Sequence, residues 1–331
     1  MTVQDISVVI CAHTEERWEQ LVGAVVSLES QTVAPHEILV VIDHNLALAQ
    51  RVYRRLPNVR VIENEQARGI SGARNSGIAA ASGAIIAFLD DDAVAAPDWL
   101  EQLLAGYSLA NVLGVGGAID PQWQYGRPRW FPPEFDWVVG CTYAGMPQEA
   151  APVRNLIGCN MSFRREVFAR IGGFRAEIGR VGVRPSGCDE TELCIRLGQR
   201  LPHALLLYNP LARVRHQVPA GRAQWDYFRA RCLLEGRSKA LVARLVGAGA
   251  GSATERAYTL RTLPRGVARG LADALVRCDL GGLARASAIT LGLAITTAGY
   301  LQGRAGQLLV RRSIVAPAPP IRRDEQREVP A

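Results

Sequence analysis

The chain has 331 residues, 48% of them hydrophobic and 21% charged, with a formal net charge of +7. Length and composition fit a globular protein of one large domain or two modest ones, and they exclude collagen-like, repetitive and disulfide-dense classes. The basic excess is almost all arginine, with Lys239 as the one lysine, and it suits phosphate-rich ligands or an anionic membrane surface rather than nucleic acid, because no DNA- or RNA-binding signature is present.

Four short, β-branched runs in the first 90 residues predict strands that are covered on both faces. They are 6–12, 38–43, 59–63 and 84–89. Between them, apolar residues at helical spacing over 21–28 and the small residues of 69–81 predict helices. This alternation predicts an α/β fold with a mainly parallel, doubly wound sheet.

The second part of the chain begins with an aromatic, proline-rich stretch near 120–143 that is typical of a long, structured loop. Regular elements then resume: helices are predicted over 161–173 and 186–201, and strands over 204–210 and 212–218. We expect one domain over 1–218, a helical, membrane-associated extension over 219–312, and a disordered tail over 313–331.

Residues 286–303 carry no charge over 18 positions, which is the lower length limit for a membrane-spanning helix. Threonines, glycines and a serine within them favour a buried or interfacial helix over a spanning one. The seven cysteines are odd in number and form no C-x-x-C pair, so we expect reduced thiols, no zinc site and a cytoplasmic protein. The N-terminus lacks the features of a signal peptide.

Three polar clusters follow predicted strands, at His13–Glu15, Asp43–Asn45 and Asp90–Asp92. Ligands of such sheets bind at the carboxyl ends of the strands, so these clusters predict a site. Two carboxylates about 4 Å apart repel by about 4 kcal/mol at an effective dielectric near 20, unless a cation lies between them. Hard oxygen ligands favour Mg²⁺ or Mn²⁺ bound together with a diphosphate. The alternative is an acidic turn in water.

The ordered set of IDHNL, ARGISGARNSG, FLDDDA, GCNMSFRR and CDETELCIR resembles family 2 glycosyltransferases of the GT-A fold over about residues 4 to 218. The resemblance implies a Rossmann-like sheet flanked by helices. It also implies inverting, metal-dependent transfer of a sugar from a nucleotide-diphosphate sugar to an acceptor hydroxyl.

The same resemblance implies the roles of several residues. Asp43, Arg74, Asp90 and Asp91 would bind the nucleotide sugar, although IDHNL departs from the usual VDDGS-like motif. Asp92, the outer residue of the D-x-D motif, would bind the metal, and His216 would complete the metal site. The alternative for His216 is a structural histidine.

The segment CDETELCIR supplies the candidate general base. Asp189 and Glu192 resemble a capping box, which predicts a helix start there. The family usually has Glu-Asp where this chain has Asp-Glu, so the choice between Asp189 and Glu190 stays open, with alignment on Leu193 favouring Glu190. The alternative is that both acids only cap the helix.

Two further residues are candidates for sugar and acceptor contacts. Asn160 resembles a residue of the donor-sugar wall and could bond a sugar hydroxyl, or it could be a turn asparagine. Trp130 is our candidate on the acceptor side, although core packing is the commoner role of aromatics in long loops.

Alternative functions are a sugar-phosphate nucleotidylyltransferase and a non-catalytic nucleotide-sugar binding protein. The first lacks support because CAHTEERW is not a glycine- and arginine-rich, lysine-assisted phosphate loop. The second conflicts with the presence of a base candidate. The expected partners are the donor and a glycan or lipid-linked acceptor, with peripheral contact at the inner face of the plasma membrane.

Overall fold

The computed structural model describes residues 5–179, 187–247 and 256–315. Within these ranges the chain forms one nine-stranded sheet covered by helices. The strands are β1 Ile6–Ala12, β2 Glu37–Ile42, β3 Arg60–Glu63, β4 Ile85–Asp90, β5 Ala93–Ala95, β6 Val112–Trp123, β7 Ala151–Pro152, β8 Asn160–Arg164 and β9 Leu205–Val218. The four strands predicted in the first 90 residues are therefore confirmed within one residue at each end.

The helices alternate with strands in the first half of the chain and follow one another in the last part. They are α1 Trp18–Glu29, α2 Leu46–Arg55, α3 Ile70–Ala80, α4 Trp99–Ala105, α5 Arg165–Ile171, α6 Asp189–Arg200, α7 Trp225–Val246, α8 Leu263–Val276 and α9 Leu280–Val315. Short 3₁₀ turns lie at Glu15–Arg17 and Pro133–Val139. The helices predicted over 21–28 and 69–81 are confirmed as α1 and α3.

The strand order across the sheet is β3-β2-β1-β4-β8-β6-β9-β5, and β7 pairs with β9. The first four strands run parallel, whereas β8 is antiparallel to both β4 and β6. The sheet is thus parallel on one side and mixed on the other. The carboxyl ends of β1, β2 and β4 meet at one edge, which is where the predicted polar clusters lie.

Three predictions for the second half need correction. The segment 161–173 does not form a single helix, because its first residues form β8, with Met161, Ser162 and Phe163 all fully buried between β4 and β6. The runs 204–210 and 212–218 form one long strand, β9, rather than two. Within 120–143, β6 continues to Trp123 and is followed by the turn at Pro133–Val139, so this stretch is only partly a loop.

The helices after β9 pack on the rest of the protein through the same hydrophobic core. Phe228 of α7, Leu263 of α8 and Ile289 of α9 are buried in one cluster with strand residues. Leu280–Gly306 is long and apolar enough to cross a membrane, and one third of its most apolar window is buried within the protein. Of the predicted tail, 313–315 form the end of α9, and the rest lies outside the described residues.

The crossing of α7 and α9 depends on glycines. A Cβ at Gly299 of α9 would lie 2.1 Å from the carbonyl oxygen of Leu233, and one at Gly236 of α7 would lie 2.1 Å from the carbonyl oxygen of Thr296. Both positions therefore admit only a hydrogen if the backbones keep this separation.

We predict that Gly299→Ala lowers the free energy of unfolding by about 1–3 kcal/mol, because the methyl group forces the helices apart. Gly306→Ala on the same helix is the control, since no atom lies within 4 Å of its added Cβ. Denaturant unfolding of both variants measures the effect. Equal stability of the two variants would contradict this packing.

Candidate active site

The polar ends of β1, β2 and β4 open into a cavity of about 570 Å³. Its wall at the sheet edge includes His13, Asp43, Arg74 and the triplet Asp90–Asp92. The lining also includes His216 of β9 and Glu190 of α6, and it continues to Arg231 and Lys239 of α7. Three clusters that are far apart in sequence thus face one cavity, as the strand-end positions predict.

Asp43 follows β2 and is fixed by donors from the neighbouring connection. Its carboxylate accepts hydrogen bonds from Asn64 Nδ2 at 2.7 Å and from the backbone N–H of Gly69 at 2.9 Å, and it lies 2.9 Å from His44 Nδ1. Gly69 has a φ of 122°, which glycine adopts without strain, and it precedes α3. Asp43 thereby joins the end of β2 to the start of the helix that carries Arg74.

Arg74 is buried and connects three segments. Its guanidinium lies 2.5 Å from Asp189 Oδ2, donates to the carbonyl oxygen of Gly158 at 3.1 Å, and lies 3.7 Å from Asp90 Oδ1. Burial by itself would lower the pKa of Arg74, but the carboxylates of Asp189 and Asp90 hold it above its ordinary value. Arg74 therefore remains charged and holds the start of α6 against the end of β4.

The three acids of the triplet have different surroundings. The Asp90 side chain is 34% exposed and faces the cavity. Asp91 and Asp92 are buried, and Arg17 Nη1 lies 2.8 Å from Asp91 and 3.2 Å from Asp92. Asp92 also lies 3.0 Å from His216 Nε2 and 3.5 Å from Arg222 Nη2. The protein itself thus supplies positive charge to the two buried acids.

These partners separate the pKa values of the two buried acids. Burial and the neighbouring Asp92 raise the pKa of Asp91 to about 7, although Arg17 opposes the rise. Burial alone would raise the pKa of Asp92 as well, but His216, Arg17 and Arg222 bring it well below its ordinary range. Asp91 Oδ2 is buried and has no hydrogen-bond partner among the described residues.

The cluster is suited to a divalent cation. The ligand atoms of Asp90, Cys159 and His216 all lie within 4.8 Å of one another, and Asp92 adjoins His216. Burial raises the pKa of the Cys159 thiol well above its ordinary value, which disfavours the thiolate form that binds metals. The carboxylates and the imidazole are therefore the groups suited to bind a metal ion. Oxygen and imidazole nitrogen ligands fit Mn²⁺ or Mg²⁺, so the residues present fit the predicted metal.

Helix α6 begins at Asp189, as predicted, but the predicted capping box is wrong. Cys188, with a φ of 74°, is the N-cap, and Glu192 instead pairs with Arg196 at 2.8 Å and with Arg175 at 2.8 Å. Both Asp189 and Glu190 line the cavity, but the Asp189 carboxylate is engaged by Arg74. Burial, together with the charge and hydrogen bond of Asp189, raises the pKa of Glu190 well above its ordinary value.

A family comparison decides what kind of protein carries this site. The model of the family described as Glycosyl transferase family 2 matches residues 7–172, which is half of the chain. The chain belongs to glycosyl transferase family 2. A glucosyl-dolichyl phosphate glucuronosyltransferase of Haloferax volcanii is 36% identical over 238 residues, covering 71% of this chain and 76% of that protein. The succinoglycan biosynthesis protein ExoM of Rhizobium meliloti is 27% identical over 51% of each chain.

Solved structures show that this glycosyltransferase has the GT-A fold. The mannosyltransferase PcManGT of Pyrobaculum calidifontis, in complex with GDP-Man and Mn²⁺, matches with a TM-score of 0.55 at 17% identity, over 93% of this chain and 88% of that one. GalNAc-T7 with UDP, GalNAc and Mn²⁺ matches with a TM-score of 0.50 at 20% identity, over 70% of this chain and 48% of that one. The glycosyltransferase thus corresponds to about half the length of GalNAc-T7.

Two predicted contact residues of the glycosyltransferase lie away from the cavity. Asn160 is fully buried: it accepts from Trp99 Nε1 at 2.8 Å and donates to the carbonyl oxygens of Ala118 and Ala212 at 3.0 and 2.8 Å. The prediction that Asn160 bonds a sugar is therefore wrong, because its side-chain amide makes its hydrogen bonds to groups within the core.

Trp130 does not line the cavity either. It packs against Phe131, Trp225 and Phe228, with ring centroids 5.2–5.5 Å apart, and so helps attach α7. Trp137 from the same aromatic stretch does line the cavity, and its Nε1 donates to the hydroxyl of Tyr258 at 3.0 Å. The prediction that Trp130 lies at the acceptor site is therefore wrong, because the path of the loop directs this side chain into the packing against α7.

Sequence reasoning missed Arg17 and Arg222, which contact the buried acids. Arg17 lies in the 3₁₀ turn after β1, within the polar stretch that follows His13–Glu15, so its position beyond a strand end was a usable signal. Arg222 lies after β9, four residues beyond Val218, and no local pattern distinguishes it from the other arginines.

We predict that Asn160→Ala lowers the free energy of unfolding by about 2–4 kcal/mol, because it leaves buried donors and acceptors without partners. The exposed Asn58, which donates to Glu29 at 2.9 Å, provides the control Asn58→Ala. Denaturant unfolding measures both. If Asn160→Ala is as stable as the unchanged protein but binds the nucleotide sugar more weakly, Asn160 contacts the sugar and its core role is contradicted.

Proposed function

We propose that the enzyme transfers a sugar from a nucleotide-diphosphate sugar to a hydroxyl of a lipid-linked phosphate acceptor, with metal dependence and inversion at the anomeric carbon. One observation carries the proposal: a single cavity is lined by the acidic triplet, His216 and Glu190. The domain of this activity would be residues 1–218, with 219–312 as the helical extension.

The proposed substrates take support from the relatives. The two structural neighbours are complexes with Mn²⁺ and with UDP or GDP-Man. The Haloferax volcanii relative is named for a glucosyl-dolichyl phosphate acceptor. A lipid-linked acceptor also agrees with the long apolar helix α9 and with the arginine-rich charge of the chain, which support a site at the cytoplasmic face of a membrane.

Asp90, Asp92 and His216 would hold a divalent ion, Mn²⁺ or Mg²⁺, and this ion neutralises charge on the departing diphosphate when bound. Arg17 and Arg222 hold Asp92 in place, so its carboxylate is oriented before any ligand arrives. Asp43, Arg74, Asp90 and Asp91 form the proposed nucleotide-sugar side of the site. Of these, Arg74 and Asp91 act by positioning, since both are buried.

Glu190 is the proposed general base. Both acids line the cavity, but Asp189 is bound by Arg74, and we therefore assign the role of base to Glu190. A base of raised pKa can take the proton of a hydroxyl more readily than an ordinary carboxylate. A single displacement by the activated hydroxyl, on the face opposite the leaving diphosphate, inverts the anomeric configuration.

We predict that Glu190→Gln lowers the transfer rate by about 10²–10⁴-fold and leaves donor affinity unchanged, because only proton transfer is lost. The exposed Glu166 on α5 provides the control Glu166→Gln. Because the active form of Glu190 is deprotonated and its pKa is raised, transfer should be full above that pKa and fall as the pH drops through it. Full transfer by Glu190→Gln would move the base to another residue.

We predict that chelation abolishes transfer and that Mn²⁺ or Mg²⁺ restores it. Asp90→Asn should weaken Mn²⁺ binding at least about tenfold in calorimetry, because a negatively charged ligand is lost. Asp120→Asn is the control, since Asp120 pairs with the exposed Arg213. Transfer that survives chelation, together with unchanged Mn²⁺ binding by Asp90→Asn, would exclude the metal site.

A further inference from the structure

Helices α8 and α9 form a hairpin with large apolar side chains on its outer surface. Leu275 and Val276 before the turn and Leu280 after it are 79–83% exposed. Leu271 and Leu283, about one helical turn away on either side, are 42% and 51% exposed. Among the described residues before Trp225, exposed large apolar side chains are at least seven positions apart in sequence. We call the five clustered residues of the hairpin the apolar tip.

The inner surface of the hairpin consists of small residues. A Cβ at Gly270 of α8 would lie 2.6 Å from the carbonyl oxygen of Gly282 and 3.2 Å from the Cβ of Ala286, both on α9. The two helices therefore meet through glycine and alanine, and the leucines remain outside. A helix that packs in water usually turns its large apolar side chains toward its neighbour. Small residues between helices and large apolar residues outside are typical of helices in contact with lipid.

Arginines surround the apolar tip. Residues 263–285 contain more basic than acidic groups, with arginines at 265, 269, 277 and 285 and aspartates at 273 and 279. Arg285 pairs with both aspartates, at 2.9 and 3.0 Å. The Arg269 and Arg277 side chains are 60% and 78% exposed, and Arg129, which pairs with Asp279 at 2.7 Å, is 81% exposed. Exposed ion pairs contribute little, so these guanidinium groups can also bind phosphate.

An apolar tip with arginines around it matches the surface of an anionic bilayer. Leucine side chains enter the boundary between headgroups and acyl chains, and arginines bind the lipid phosphates. A second copy of this chain is a poorer partner, because its arginines would face the same arginines here. A crossing of the bilayer by α9 conflicts with the other face of this helix, since Ile289 is 2% exposed and packs in the main core.

We infer that the apolar tip docks the protein on an anionic bilayer, with the hairpin inserted to the depth of the headgroups. The same two helices reach the cavity, which is lined by Leu263 of α8 and by Leu293 and Tyr300 of α9. Leu263 and Leu275 lie about 18 Å apart along α8. A lipid-linked acceptor can thus keep its chain in the bilayer and present its hydroxyl at the cavity. The inference rests on the proposed function for this acceptor, and it adds the surface that meets the lipid.

Sedimentation of the full chain with sucrose-loaded vesicles of phosphatidylcholine and phosphatidylglycerol tests the surface without requiring turnover. We expect the double variant Leu275→Gln/Leu280→Gln to bind these vesicles about 10- to 100-fold more weakly, because two large apolar side chains no longer leave water. Leu109→Gln/Leu211→Gln is the matched control, since these leucines are 59% and 60% exposed elsewhere on the protein. The control should bind as tightly as the unchanged protein.

The composition of the vesicles separates the charged contribution from the apolar one. Arg269→Gln/Arg277→Gln should weaken binding to the anionic vesicles by about 10- to 30-fold, because two cations near the surface are lost. Its binding to vesicles of phosphatidylcholine alone should stay within about threefold of the unchanged protein, because these vesicles carry no net charge.

Three results would overturn the inference. The first is equal vesicle binding by the leucine variant and the unchanged protein, or no binding by either. The second is a dimer that the leucine variant converts to a monomer while vesicle binding stays the same, since the tip would then contact a second copy. The third is membrane-bound protein that resists extraction by alkaline carbonate, which would indicate that α9 spans the bilayer.

Failure of the proposed function would appear in a separate measurement. The leucine variant should transfer sugar at an unchanged rate to an acceptor dispersed in detergent, because the apolar tip does not line the cavity. Loss of that transfer would also overturn the docking role. Absence of metal-dependent transfer by the unchanged protein would contradict the proposed function, whereas vesicle binding that depends on the leucines would still support the docking surface.

Discussion

The structure depends on balancing buried negative charge at one edge of the sheet. Arg74 makes the central contribution, because its guanidinium joins Asp189 of α6, the carbonyl of Gly158 and the region of Asp90 at the end of β4. Removing one partner of such a buried pair typically costs about 3–5 kcal/mol, since the other charge is left unpaired. The same contact that stabilises the fold therefore fixes the distance between the donor side and the base side of the cavity.

The three acids of the triplet differ in burial and in their positively charged partners. Asp91 and Asp92 are buried and already have positive partners in Arg17, Arg222 and His216, so most of their charge is compensated within the protein. Asp90 remains partly exposed and faces the cavity. Metal binding at this edge would consequently begin from carboxylates that are already oriented, and less reorganisation would be needed when the donor binds.

The C-terminal helices complete the cavity rather than only extending the chain. The family match ends at residue 172, yet Glu190, His216 and the cavity-lining residues of α7 lie after it. Close helix crossings at Gly236 and Gly299 bring α9 against α7, and both helices contribute residues to the cavity lining. Asp43, Arg74 and the acidic triplet thus lie within the matched part, whereas His216 and the proposed base Glu190 lie beyond it.

The resemblance of its motifs to a known family added Glu190 to the site, and the sequence by itself determined the fold class, the first four strands and the convergence of Asp43 and Asp90 at one edge of the sheet. Those features depend on local hydrophobic pattern and on strand ends, which neighbouring residues encode. Only the tertiary structure decided that Asn160 is a core residue, that Trp137 rather than Trp130 faces the cavity, and that Arg17 contacts Asp91 across 74 positions of sequence. Such roles depend on partners brought together by the packing of distant segments, and no local pattern specifies that packing.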